Sequence, residues 1–173
     1  MKTITIPALK GERIIAEARD IFTGYIDSDF KDWDADEKGI ESKEIKLDVF
    51  EPQKDFIFSD FFSEDNVMTQ EQIIYFVENN KDLLSNFYTF FPFKSKGRFF
   101  VAGVYVFSAD GLGVSVSRFS DDYVWVAGRR LRVVVPQLET KSLEPSPYDS
   151  LLLSHLARIE EKLDRLLEHL GIK

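Results

Sequence analysis

Apolar and polar residues alternate from Thr3 to Ile6 until Pro7 interrupts them, a period of two that predicts a short strand. The next apolar positions, Ile14, Ala18, Ile21, Phe22 and Tyr25, fall at helical spacing and predict a helix over 10–22, stopped by Gly24. Residues 27–44 are acidic and without period, with Phe30 and Trp33 as anchors onto the body. Ile45, Leu47 and Val49 alternate with Lys46 and Asp48, as in a half-buried strand closed by Pro52. Phe56-Ile57-Phe58 reads equally as a strand or as a turn of helix leading to Phe61 and Phe62. A second helix has a chemical start signal, because Thr69-Gln70-Glu71-Gln72 matches a capping box, in which hydroxyl and amide satisfy free backbone N–H groups reciprocally. Its apolar face is Ile73, Ile74 and Val77; Asn79-Asn80 breaks it, and Leu83, Leu84 and Phe87 continue it briefly.

From about residue 87 the period changes from 3.6 to 2. Strands are expected at Phe99–Phe107, Leu112–Phe119, Tyr123–Val126 and Arg130–Val135. Ser108-Ala109-Asp110-Gly111, Ser120-Asp121-Asp122 and Gly128-Arg129 are the connections, short enough for an antiparallel meander ended by Pro136. Residues 137–146 then read as a proline-containing linker. Beyond it Leu152, Leu156, Ile159, Leu163, Leu166 and Leu170 recur at spacing 4-3-4-3-4, an a/d seam of nearly three heptads. Ser146-Pro147 starts that helix and Gly171 stops it. The expected fold is α+β: N-terminal helices packed on an antiparallel meander over 1–136, the linker, and an amphipathic heptad helix over 147–173.

Composition narrows the function classes. The 173 residues are 44% apolar, with 16 phenylalanines, which excludes wholesale disorder and implies a core of bulky rings. Without cysteine there is no disulfide, thiolate nucleophile or cysteine-bound metal. No apolar run is long enough to span a membrane, so a soluble, cytoplasmic protein is expected. The net charge of −8 argues against generic affinity for nucleic acid or anionic membrane. Charge is uneven, however: residues 1–93 hold 20 acids against 10 bases, whereas 94–135 hold 7 bases against 3 acids.

That basic stretch carries the main candidate site. A two-residue Gly128-Arg129 loop would pair Val126 with Leu131, Trp125 with Arg132 and Val124 with Val133. One face then collects Val124, Val126, Leu131, Val133 and Val135, and the other Tyr123, Trp125, Arg130 and Arg132. Val114 and Val116 join the valine face, while Ser115, Ser117 and Phe119 join the arginine and aromatic side. Rings interleaved with guanidinium groups suit an acidic protein surface, or single-stranded nucleic acid through stacking and phosphate contacts.

Other chemistry is thin. Asp32, Asp34 and Asp36 begin like a calcium loop, but Glu37, Gly39 and Lys43 stand where its glycine, apolar residue and bidentate glutamate belong. The only histidines, His155 and His169, flank the terminal seam, and no string for nucleotide binding, dinucleotide binding or zinc hydrolysis is present. The reading is therefore a non-enzymatic oligomeric scaffold or adaptor without cofactor. It self-associates through the terminal helix, as trimer or tetramer rather than dimer because Leu153 and Leu167 widen the stripe, and it binds a protein partner. The alternative is a nucleic-acid-binding accessory protein.

Overall fold

The computed structural model describes residues 1–108 and 111–137. Its centre is a seven-stranded mixed sheet of β1 (Lys2–Ile6), β2 (Tyr25–Ile26), β3 (Ile45–Phe50), β4 (Thr89–Ser95), β5 (Arg98–Ser108), β6 (Gly111–Arg118) and β7 (Arg132–Pro136). The spatial order is β1-β3-β7-β4-β5-β6-β2. β4 runs parallel to β7, β2 runs parallel to β6, and the other pairings are antiparallel. Among the described residues there is one helix of real length, α2 (Gln70–Asn79), besides the single turn α1 (Asp29–Asp32) and three short 3-10 turns.

This overturns the expected antiparallel meander with N-terminal helices. No strand forms at Tyr123–Val126, where a single bridge joins Trp125 to Phe56. The chain crosses over instead, so that β7 lies between β3 and β4 rather than beside β6. The reason lies in Val133-Val134-Val135: consecutive valines suit a strand covered on both faces better than the rim of a hairpin. Val133 and Val135 pack into one core cluster and Val134 into the other. Gln137, expected in the linker, continues this alignment, its N–H donating to Lys46 O at 2.8 Å. The rest of the linker and the expected terminal helix lie outside the described residues.

The helix expected over 10–22 is also absent; only Ile15–Glu17 makes a 3-10 turn. Its backbone N–H groups go elsewhere. Gly11 and Glu12 donate to the Glu71 carboxylate at 2.6 and 3.3 Å, and Ile15 donates to Gln70 Oε1 at 3.1 Å. Ile14, Ala18 and Phe22 are buried as the spacing implied, but on a loop stitched to the first turn of α2. That turn is capped as expected. Gln72 N donates to Thr69 Oγ1 and Thr69 N to Gln72 Oε1, while Gln72 Nε2 holds Lys43 O.

Two cores flank the sheet. On the first face Leu47, Val49, Phe91, Phe93, Phe100 and Val104 meet α2 and the 9–44 segment. Phe76 of α2 sets its ring edge-on to Phe91 at 5.0 Å. On the second face Phe90, Val101 and Val133 are roofed by Phe56, Phe58, Phe62 and Leu131. No helix among the described residues is long and apolar enough to cross a membrane.

Candidate binding face

The roof of the second core covers Val101 of β5, and the sheet beyond it carries a row of aromatic rings. Tyr88 stacks on Phe90 (centroids 5.6 Å apart, rings 2° from parallel) and lies 5.0 Å from Tyr105 and 5.5 Å from Trp125. Tyr105 leads to Phe107 at 6.4 Å and Phe107 to Tyr25 of β2 at 6.2 Å; on the other side Trp125 meets Tyr123 at 4.8 Å. The row rests on bare backbone. A Cβ at Gly113 would fall 2.6 Å from Tyr105 Cζ, and one at Gly103 would fall 3.1 Å from Tyr88 Cδ1. Glycine here is what allows the rings to lie down on the strands.

Much of this surface faces water. Tyr123 is 63% exposed and Phe107 54%, and Tyr25, Phe87, Val124 and Val126 are exposed as well. Scattered apolar side chains at a surface are ordinary, but rings in mutual contact form a patch of the kind that marks an interaction site. Burial, then its neighbours Tyr88, Tyr25 and Asp27, raise the pKa of the Tyr105 hydroxyl. It therefore remains a neutral hydrogen-bond donor.

The four residues expected to bind a partner are only partly brought together. Tyr123 and Trp125 are neighbours, but on the loop between β6 and β7. Trp125 exchanges backbone hydrogen bonds with Phe56 at 3.0 and 2.8 Å, and Ala127 N donates to Asp55 Oδ1. This anchoring turns Trp125 onto Phe90, at 4.5 Å, and leaves Val124 and Val126 in solvent, opposite to the expected valine face. The indole N–H of Trp125 is buried with no acceptor among the described residues.

Arg132 is committed to structure, its guanidinium donating to the carbonyls of Asp82 and Leu84 at 3.2 and 3.4 Å. Arg130 is exposed, and its own carbonyl accepts the Ser85 hydroxyl. The guanidinium that meets an aromatic ring of this face is Arg129, 5.5 Å over Phe87. Sequence reasoning passed over Arg129 as a turn residue and missed Tyr88, Tyr105 and Phe107. Gly103 and Gly113, each across the hairpin from a tyrosine or serine, were the signal that could have found them.

Two carboxylates of the acidic loop, at positions considered for a cation, meet protein cations. Asp34 accepts from Lys96 Nζ and from Arg98 Nη2, both at 2.9 Å, and Asp36 lies 3.6 Å from the same lysine. The Lys96 hydrogen bond above all, then its charge and Arg98, hold the Asp34 carboxyl below its usual pKa. Asp32 ends α1, and no group of three acids or histidines among the described residues is placed to hold a metal ion. The loop is a clasp onto the β4–β5 turn, closed by protein cations. At that end of the sheet a cleft of about 560 Å³ is lined by Glu64, Arg98, Phe99, Arg118 and Phe119. Its arginines are already engaged, Arg98 by Asp34 and Arg118 over the Trp33 ring at 4.8 Å.

The leucine positions expected to drive oligomerisation, Leu152, Leu156, Ile159, Leu163, Leu166 and Leu170, lie outside the described residues, as do His155 and His169. In comparisons with protein-family models, with curated proteins and with solved structures, nothing matches this chain.

Proposed function

We propose that this protein is a non-enzymatic adaptor or scaffold that holds a protein partner on the aromatic face built by β5, β6 and the 123–129 loop. The observation that carries the reading is the continuous row from Tyr25 to Tyr123, left uncovered among the described residues while the rest of the second face is roofed. Burial of such rings supplies most of the free energy of protein recognition, at about 25 cal/mol per Å² of apolar surface removed from water. Arg129, held over Phe87, adds selectivity for an acidic partner more than affinity. The other half of the scaffold reading, self-association, rests on leucine spacing alone.

The nucleic-acid alternative receives less support. Base stacking needs ring faces lying open and parallel to the surface, whereas Tyr123 and Trp125 stand at 66° to each other. Arg132, one of the two arginines assigned to phosphate, is spent on backbone carbonyls.

The test is site-specific photocrosslinking of the full chain in extract of the cells that make it, with the photoreactive residue at 107, at 123, or at the control position 10. Position 10 lies on the opposite layer, beside the Leu9–Ser42 bridge. Discrete protein adducts at 107 and 123 and none at 10 are expected. Adducts to nucleic acid, or equal labelling at all three positions, would refute the reading.

A further inference from the structure

We propose that the aromatic face takes an extended proline-rich segment in the polyproline II conformation, an acidic residue of which meets Arg129. This deepens the reading above and rests on it: the partner's contact element is given a chemistry.

The first argument is the tilt of the rings. From Phe107 to Trp125 neighbouring rings are far from coplanar, with Phe107 and Tyr105 at 54°, Tyr105 and Tyr88 at 47°, and Tyr88 and Trp125 at 57°, whereas Tyr25 and Phe107 at the end of the row lie 15° apart. A flat row would offer a platform for a sugar ring or a base. Tilted, half-buried neighbours instead make a ridged apolar surface. A pyrrolidine ring, compact and apolar with polarised C–H bonds, packs against the outer part of such tilted rings.

The second argument is spacing. Polyproline II rises about 3.1 Å per residue with three residues per turn, so equivalent prolines on one side recur about every 9 Å. The steps from Tyr105 to Tyr88 and from Tyr88 to Trp125 are 5.0 and 5.5 Å, so two steps span at most about one such turn. Rings two steps apart therefore meet prolines one turn apart, the spacing by which aromatic-lined surfaces select P-x-x-P segments.

The third is polarity. A polyproline II segment has no internal hydrogen bonds and presents free carbonyls that need donors. Tyr88 and Tyr105 carry hydroxyls in the row itself, and Tyr105 stays protonated. Beneath them Gly103 and Gly113 bring only backbone, and the Ser115 hydroxyl already donates to Gly103 O at 3.4 Å.

Charge supplies the last element. Ion pairs among the described residues engage Arg13 and Arg98, but neither Arg129 nor Arg130. Arg129 is held over Phe87, which itself packs edge-on against Tyr88 at 5.3 Å. An acid one turn beyond the docked prolines would reach this guanidinium and set the direction of the segment.

The probe is a synthetic peptide of ten prolines ending in two glutamates, titrated into the full chain by calorimetry and by tryptophan emission. Saturable binding is expected, weakened at least roughly tenfold in Phe107→Ser and in Arg129→Glu, and roughly tenfold for a peptide with alanine in place of proline. Both substituted side chains are exposed, and circular dichroism verifies that the variants keep their fold. Equal binding of the alanine peptide would overturn the polyproline inference while leaving a protein-binding face in place. No binding of either peptide, with an oligothymidine bound and lost in the same variants, would overturn both. Concentration-dependent self-association abolished by Phe107→Ser would assign the face to a second copy and overturn the inference.

Discussion

Gly11 and Gly39 make a matched pair in which one backbone conformation meets two different amounts of space. Both have left-handed backbones, with φ of +78° and +82°. A Cβ on Gly39 would touch nothing within 4 Å, whereas one on Gly11 would stand 2.5 Å from N, C and O of Ile40. Left-handed backbone costs an alanine about 1–2 kcal/mol at either site. Gly39→Ala should lose that much and no more. Gly11→Ala should add the cost of overpacking, typically about 1–3 kcal/mol and here at the upper end, because main-chain atoms cannot rotate away. The surroundings also resist movement. Gly11 N donates to Glu71 at 2.6 Å, Gly39 N donates to Gly11 O at 2.9 Å, and Leu9 and Ser42 exchange hydrogen bonds alongside. The expected totals are about 1–2 kcal/mol for Gly39→Ala and about 3–5 kcal/mol for Gly11→Ala, a large share of a typical domain's stability. Urea unfolding of the two variants and the parent measures the difference as midpoint shifts at constant slope. Losses equal within about 0.5 kcal/mol would refute the packing of the 9–12 segment against Ile40.

Three further outcomes follow from the same geometry. Ser95 is fully buried, donates to Asp34 O at 2.9 Å and accepts from Glu37 N at 3.1 Å, so Ser95→Ala strands two backbone groups. It should cost about 2–4 kcal/mol in urea unfolding, against less than 1 kcal/mol for an exposed serine such as Ser59. Asp34 is held below its ordinary pKa, so its contribution is present above the normal carboxylate range and fades as pH falls through its folded value. The gap in Tm between parent and Asp34→Asn should therefore be open at pH 7 and close on acidification, and a gap independent of pH would sink the clasp. Gly113→Ala should push the Tyr105 ring off β6 and cost peptide affinity, measured by the titration above. In a Tyr105→Ala background it should cost the fold nothing, and additive effects would show that the ring does not rest on Gly113.

Local chemistry was legible in the chain where a side chain acts on its own backbone or its near neighbours. The Thr69 capping box, the break at Asn79-Asn80 and the alternation at 45–49 correspond to α2 and β3. The helix over 10–22 was misread because its apolar spacing reports which side chains are buried, and these are buried without a helix. Gln70 and Glu71, some sixty residues away, satisfy the backbone groups a helix would have used. β4 was hidden by Pro92 within the run Phe90–Phe93, since proline argues against an interior strand. The parallel pairing of β4 with β7 is non-local, and no spacing within either segment encodes it.

The candidate face shows the same division at the level of function. An arginine-and-ring surface was expected from the alternation of Tyr123, Trp125, Arg130 and Arg132 on two paired strands. The first of those strands does not form and the second pairs with β3 and β4 instead, so the alternation carried no information about which side chain would be free. What concentrates the aromatic rings is the pair of glycines on β5 and β6, which let Tyr88 and Tyr105 lie down and carry the row out to Phe107 and Tyr25. What frees Arg129 and occupies Arg132 is the crossover of the chain into β7, which sets Arg132 against the carbonyls that follow α2. Exchanging Arg129 and Arg132 for glutamine one at a time separates the two roles. Arg129→Gln should weaken ligand binding with stability unchanged, and Arg132→Gln should lower stability by about 1–2 kcal/mol through two lost hydrogen bonds. The reverse assignment would remove the basis for the row as a binding surface.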